Sequence, residues 1–303
     1  MTRVLLTGAS GFIGRHLLHT SPRDTTILAV HHRGALRSHP AVTPLRMDLI
    51  RPDRERLRDF APEVILHTAA LSALDACERD PAAADRLNVE VTAMLADLAD
   101  GVGARLIFTS TDQVFDGREG GYEESAPCNP LNAYGRSKRA AESHLLSRNK
   151  GHLCVRLATV YGRGVTRTSF LDMLVERVRA GEPVRVFSDE VRNHVAVQDV
   201  ASVLWRLVRH PLDGILHLGG PEGMTRMALA ETLCALGGWD RALLEPVRLA
   251  EAGTLARRPV DCSLDLTRLA AWWGGPLRSV HEGLGAYLGA LPPSPAQEGA
   301  DEE

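Results

Sequence analysis

Tyr134 and Lys138 stand four residues apart in the stretch A-Y-G-R-S-K-R-A-A-E. If that stretch is helical, the spacing puts both side chains on one face. A phenol with an ordinary pKa near 10 is a poor acid–base group at neutral pH, and a neighbouring ammonium favours the phenolate and brings that value down. Tyr134 would then give its proton to a carbonyl oxygen as negative charge grows there. Thr111 comes 23 residues earlier, in T-S-T-D-Q-V-F at the end of a strand-like run, where its hydroxyl can hold the same oxygen. A lone Y-x-x-x-K pair is more often structural, so the reading depends on what surrounds it.

The surroundings begin with T-G-A-S-G-F-I-G at residues 7–14. Gly8, Gly11 and Gly14 follow one strand-like run and open a helical pattern, the context that a dinucleotide-binding turn requires. Missing Cβ atoms permit a tight turn and let backbone N–H groups approach a pyrophosphate, while the helix N-terminus adds the positive end of its dipole. Ser10, Phe12 and Ile13 belong to the same turn and are expected beside the cofactor. The alternative is a bare turn in an α/β domain. The second strand-like run ends L-A-V-H-H-R, with His32 and Arg33 where an acid would bind the adenosine ribose hydroxyls. Positive charge there suits a 2′-phosphate. The expected cofactor is therefore NADPH, with Arg33 as the main phosphate partner and His32 secondary; a solvated basic turn is the competing reading.

These residues need a scaffold, and the hydrophobic pattern supplies one. VLLT (4–7), TILAV (26–30), VILHTAA (64–70) and RLIFTS (105–110) read as short strands, and the stretches between them carry helical periodicity. That alternation predicts an α/β fold, a Rossmann-type doubly wound parallel sheet covered on both faces by helices. Further strands are expected at 154–158, 183–187 and 214–218. Residues 1–160 with 185–218 are assigned to the dinucleotide-binding domain, and 161–184 with 219–291 to a smaller C-terminal substrate lobe. The segment 292–303, P-P-S-P-A-Q-E-G-A-D-E-E, has no apolar face to bury and is expected to be a disordered acidic tail.

Composition narrows the function classes. The chain has 303 residues, 38 acidic and 35 basic side chains, and 44% hydrophobic residues. Removing the four acids of the last twelve residues leaves 34 acids against 35 bases, a near-neutral body that argues against nucleic acid as the partner. Five cysteines without a C-x-x-C pair fit a reducing cytoplasm. No apolar run is long enough for a membrane span. The histidines near the N-terminus lack the spacing of a metal site, so no metal is expected. Helices expected at 79–99 and 133–147 offer faces for a homodimer.

With the glycine turn, the Thr111 segment and the Tyr134–Lys138 pair in this order, the chain resembles the extended short-chain dehydrogenase/reductase family. Within it the resemblance is to the branch of dTDP-4-dehydrorhamnose reductases and related nucleotide-sugar 4-ketoreductases. It is carried by TGASGFIG (7–14), MDL (47–49), HTAALSALDACE (67–78), LNVEVT (87–92), STDQVFDG (110–117), PLNAYGRSK (130–138), RLATVYG (156–162) and HVAVQDVA (194–201). It implies Thr111, Tyr134 and Lys138 as the catalytic set, with Lys138 also on the nicotinamide ribose. It further implies Asp48 and Leu49 beside the adenine and Ala69 and Ala70 along the cofactor. In related dehydratases the Thr111 segment reads Thr-Asp-Glu; here Gln113 replaces the Glu, and a carboxamide cannot act as the base that dehydration needs. The reductase branch has Tyr at that place, so Gln113 departs from it too.

The implied activity is NADPH-dependent reduction of a keto group, at C4, of a nucleotide-activated deoxysugar. Asp112 either orients substrate or caps its loop. Arg257 and Arg258 resemble the family's R-P-x-x-S-x-L-D segment, and Arg258 is expected on the nucleotide diphosphate. Asn132 and Arg163 are further expected substrate contacts. Trp272 and Trp273 read as core, and His194 as an ordinary satisfied histidine. The alternatives are a sugar-nucleotide epimerase, a reductase of another ketone, or a non-catalytic NADP-binding regulatory subunit.

Overall fold

The computed structural model describes residues 1–36, 40–148, 151–164 and 169–291. The tail expected at 292–303 lies outside the described residues. The chain opens with β1 (Thr2–Thr7), α1 (Phe12–His19), β2 (Thr25–His31), β3 (Val42–Arg46), α2 (Arg54–Asp59) and β4 (Val64–His67). It continues through α3 (Leu74–Arg79), α4 (Pro81–Ala84), α5 (Val91–Val102), β5 (Arg105–Thr111), α6 (Ala133–Leu146) and β6 (Leu153–Leu157). The second half holds β7 (Val160–Tyr161), α7 (Phe170–Arg179), β8 (Val184–Phe187), β9 (Val191–Arg192), β10 (Val195–Ala196) and α8 (Val197–Arg209). It closes with β11 (Gly214–Leu218), β12 (Met224–Thr225), α9 (Arg226–Gly237), β13 (Leu244–Val247), α10 (Thr267–Trp273) and α11 (Val280–Gly289).

Seven strands form one parallel sheet in the order β11-β6-β5-β4-β1-β2-β3. Chain order therefore runs outward in both directions from the β1–β4 boundary. At such a reversal the connections leave in opposite directions and open a crevice at the carboxyl ends of the strands. The glycine turn follows β1 and Ala69–Ala70 follow β4, so both border that crevice. Alternation along each strand feeds the two faces: Val4 and Leu6 join one apolar core, while Leu5 between them joins the other. Trp205 of α8 donates its indole N–H to the Leu17 carbonyl of α1 at 3.1 Å, which ties two covering helices together.

The expected parallel sheet is present, with two local differences. β3 was not expected, because V-T-P-L-R has a proline and only two apolar residues besides it, which do not alternate. It is the edge strand, where the missing N–H of Pro44 costs nothing on the unpaired side. Residues 184–187, of which 185–187 were expected with the central sheet, instead pair with β13 in a separate two-stranded sheet. Their Val184 and Val186 pack with Leu174, Leu229 and Leu284 in a core apart from the central sheet. The helix expected over 79–99 contains a π-helical segment, Asp85–Glu90, between α4 and α5. Among the described residues, no helix is long and apolar enough to cross a membrane.

Candidate active site

The glycine turn has no room for a Cβ at Gly8 or Gly14. Gly8 has φ +70°, and a Cβ there would lie 2.6 Å from the Ala69 nitrogen. A Cβ on Gly14 would lie 2.2 Å from the Gly8 carbonyl oxygen. The Gly11 N–H closes the turn by donating to that same carbonyl at 2.8 Å. Gly11 is also the residue before α1, and no side chain caps this helix end, which leaves its N–H groups for an anion. Ser10, Phe12 and Ile13 are half-buried around the turn. These features fit a dinucleotide pyrophosphate.

His32 and Arg33 are exposed just beyond β2, in a turn that contains no carboxylate. Arg15, absent from the sequence reading, donates to the carbonyls of Ser10 at 3.1 Å and Ala35 at 2.9 Å. It thereby fixes the 33–36 loop against the glycine turn and adds a second guanidinium near Arg33. The signal was available as a basic residue in the first helical turn, but its partner is distant in sequence. Asp48 is exposed and its carboxylate accepts from the Ile50 N–H at 3.0 Å, while Leu49 is buried in the core. Ala69 packs on Gly8 and donates to the Thr7 hydroxyl at 3.4 Å; Ala70 follows it, half-buried.

Asn132 caps α6, accepting from the Gly135 N–H at 2.9 Å, and this fixes the start of the helix that carries Tyr134 and Lys138. The Tyr134 hydroxyl lies beside Thr111 at the end of β5. Thr111 in turn donates to Asp112 at 3.3 Å and accepts from the Gln113 N–H at 3.2 Å, so Thr111 and not Asp112 caps the following 3-10 turn. The Lys138 ammonium is buried and lies 4.0 Å from the centroid of the Phe108 ring.

The electrostatics differ from expectation. Burial pushes the Tyr134 phenol above its ordinary value; the neighbouring Thr111 opposes this, and Asp112 and Cys77 add to it. Lys138, four residues on along the same helix, is itself buried. Its own pKa falls to about 7, chiefly through burial, with Glu142 pulling the other way. The pair therefore does not deliver an acidified phenol; Tyr134 keeps its proton across the neutral range.

Several expected substrate contacts have other work. Asn132 is fully buried and its amide donates to Gln113 Oε1 at 3.2 Å and to the Arg257 carbonyl at 3.0 Å. Both amide hydrogens are used, so it positions Gln113 and has none left for a substrate. Gln113 completes the set by donating to Asp112 Oδ1 at 3.3 Å. Asp112 is buried against Arg192, Nε to Oδ2 3.3 Å. Burial raises the Asp112 pKa and the Arg192 charge opposes that. Arg163 is exposed and donates to the Ala290 carbonyl at 2.9 Å.

Arg192 opens a cluster that sequence reasoning missed. It faces Glu190 at 3.6 Å, and Glu190 also pairs with Arg226. Arg226 and Arg258 both lie over the Phe187 ring, each 5.5 Å from its centroid. Arg258 Nε is buried without a hydrogen-bond partner. Asp112 and Glu190 lie among these three guanidiniums, and Asp75 acts on Arg258 and Asp261 on Arg192 as well. His194 is 1% exposed and neither ring nitrogen makes a well-aligned hydrogen bond, contrary to the satisfied histidine expected. Burial and then Arg226 drive its pKa to about 3, so it is neutral. Trp272 and Trp273 pack on the central core under Arg206, as expected.

Comparison with known proteins places this geometry. The family described as "RmlD substrate binding domain" matches residues 1–292. Methionine adenosyltransferase 2 subunit beta of Danio rerio is 33% identical over 277 residues, 88% of this chain and 84% of that protein. A "probable low-salt glycan biosynthesis reductase" of Haloferax volcanii is 28% identical over 295 residues, 94% and 97% of the two chains. The crystal structure of dTDP-4-dehydrorhamnose reductase from Bacillus anthracis in complex with NADP superimposes with a TM-score of 0.84 at 23% identity. That match covers 96% of this chain and all of the other, and it speaks to the fold.

Proposed function

The chain belongs to the RmlD substrate binding domain family, and on that premise we propose that it reduces a keto group, at C4, of a nucleotide-activated deoxysugar with NADPH. The observation that carries the reading is Tyr134 beside Thr111 at the carboxyl end of β5, next to a turn in which Gly8 and Gly14 have no room for a Cβ. Gly8, Gly11 and Gly14 would hold the pyrophosphate, with Ser10, Phe12 and Ile13 around it. Arg33, His32 and Arg15 would hold the 2′-phosphate, with Asp48 and Leu49 at the adenine and Ala69 and Ala70 along the dinucleotide.

NADPH, when bound, supplies a hydride to the ketone carbon. Tyr134 gives its proton to the developing alkoxide, and the Thr111 hydroxyl, turned from Asp112, holds that oxygen. A phenol raised by burial suits reduction, because the acid must start each turnover protonated. Lys138, on the face of α6 that Tyr134 shares, would hold the nicotinamide ribose. Gln113 is held between Asn132 and Asp112, so the place of the dehydratase base carries a neutral amide. Arg258, whose buried Nε has no hydrogen-bond partner, suits a nucleotide diphosphate.

The likeness to methionine adenosyltransferase subunit beta favours a second reading, a dinucleotide-binding regulatory subunit. A panel of dTDP-4-keto sugars separates the two. NADPH consumption with one of them supports the reductase; NADPH binding without consumption of any supports the subunit.

A further inference from the structure

A file of buried polar groups runs beneath the crevice from the glycine turn to the catalytic helix, and each proton in it has one place to go. The Ala69 N–H donates to Thr7 Oγ1, whose hydroxyl lies 2.6 Å from His67 Nδ1. His67 Nε2 lies 3.1 Å from Thr92 Oγ1, and Thr92 gives its own proton to the Asn88 carbonyl at 2.6 Å. Thr92 must therefore accept from His67, which fixes the Nε2–H tautomer and leaves Nδ1 to accept from Thr7. The Asn88 amide donates to Ser137 Oγ at 2.9 Å, and Ser137 donates to the Tyr134 carbonyl at 2.8 Å. Thr7, His67, Thr92, Asn88 and Ser137 are all 1% exposed or less.

We propose that His67 is a positioning residue, coupling the set of the dinucleotide turn on β1 to the set of the Tyr134 helix through Thr92 and the π-helical segment. The inference rests on the proposed function only in taking the glycine turn as a dinucleotide site. Thr7 directly precedes Gly8, and Ala69 is the residue that Gly8 approaches most closely. A shift of either moves the acceptor or donor at one end of the file. At the other end Asn88 is pinned by a reciprocal pair with Leu71, its amide donating at 3.0 Å and its carbonyl oxygen accepting at 2.9 Å. A buried file of this kind has no water to absorb a mismatch, so a change at one end is felt at the other.

The file requires His67 uncharged, since a protonated ring could not accept from Thr7. The groups around it agree. Burial drives its pKa to about 3, and the Lys138 charge adds to this; Phe108, under the Lys138 ammonium, stacks on the His67 ring with centroids 5.5 Å apart. Thr7, Thr92 and Thr109 are the other polar groups bonded to the residue, Thr109 through the backbone carbonyl.

Thr92→Val tests the coupling, because it keeps the shape of the side chain and removes the acceptor for His67 while touching neither the glycine turn nor Tyr134. Direct titration with NADP⁺ is expected to show about tenfold weaker binding, the scale of one unsatisfied buried donor passed on in full. Thr92→Ser, which restores the hydroxyl, is expected to return affinity to the wild-type value. Nitrogen-15 shifts of the wild-type histidines should show His67 as the Nε2–H tautomer and should move when NADP⁺ binds. Thr92→Val that melts earlier but binds NADP⁺ within about twofold of wild type would make the file merely structural and overturn the proposal. So would Ser failing to rescue, or an Nδ1–H or doubly protonated ring. If Thr92→Val does not fold, His67→Gln against His67→Leu reads the same affinity: recovery by Gln alone upholds the coupling, and equal loss overturns it. Wild type that binds no NADP⁺ at all overturns the dinucleotide site itself, an outcome distinct from all of these.

Discussion

Glu142→Gln removes a charge that three elements lean on. Its carboxylate takes a two-pronged pair from Arg156 of β6, at 3.0 and 2.9 Å, and the hydroxyl proton of Ser110 on β5 at 2.6 Å. Arg139, on the same helix, reaches it at 3.3 Å. Glu142 is fully buried and Arg156 is 1% exposed. The variant leaves the Arg156 guanidinium buried with only neutral partners: the Glu124 carbonyl at 3.2 Å, Cys128 Sγ at 3.2 Å and His217 at 3.4 Å. Breaking such a pair from one side costs about 3–5 kcal/mol, a large share of an ordinary stability of about 5–15 kcal/mol. Removing both charges, in Glu142→Leu with Arg156→Met, also removes both desolvation penalties and should recover about half of that loss or more. Urea denaturation of the three proteins reads the difference as a shift in midpoint at constant slope. A single variant within about 1 kcal/mol of wild type, or a double variant worse than the single, would refute the view that this pair fixes α6 against the sheet.

Gly14→Ala should abolish dinucleotide binding in a fluorescence titration, since its Cβ would lie 2.2 Å from the Gly8 carbonyl oxygen and would force the turn open. Lys138→Met should change the pH dependence of stability. Below about pH 7 both folded and unfolded chains carry the Lys138 proton and the burial penalty is complete; from there to the ordinary lysine value only the unfolded chain keeps it, so wild-type stability gains with rising pH. The wild-type minus variant difference in urea midpoint should therefore rise from pH 7 to 10, and a flat difference would place the ammonium in water. Arg33→Asp should lower kcat/KM for NADPH relative to NADH by about tenfold or more, the value of one charge-assisted contact. An unmoved preference would assign the 2′-phosphate elsewhere.

The sequence made legible whatever is local. The T-G-A-S-G-F-I-G turn, the strands that alternate with helices, and Tyr134 and Lys138 at helical spacing all stand where their patterns put them. What was not legible depends on partners far apart in the chain. Arg192 is one arginine among many until β9 carries it to Asp112, 80 residues away in sequence. Asn132 has the chemistry of a substrate contact, and only its burial as the α6 cap shows that its amide is already used. The direction of the Tyr134 shift was misread because spacing places the lysine on the same helix face but says nothing of burial, which here outweighs every charge. The edge strand at 42–46 escaped because edge position excuses the very proline that argues against a strand.

The central claim is that hydride reaches a sugar carbon while Tyr134 protonates the neighbouring oxygen. NADPH carrying deuterium at the transferring position of the nicotinamide, incubated with a dTDP-4-keto-6-deoxysugar and followed by mass spectrometry of the sugar nucleotide, tests it most directly. The account predicts one deuterium on the product carbon with wild type, and label appearing at least about 100-fold more slowly with Tyr134→Phe while NADPH affinity holds. Product without label, or Tyr134→Phe labelling as fast as wild type, would contradict it.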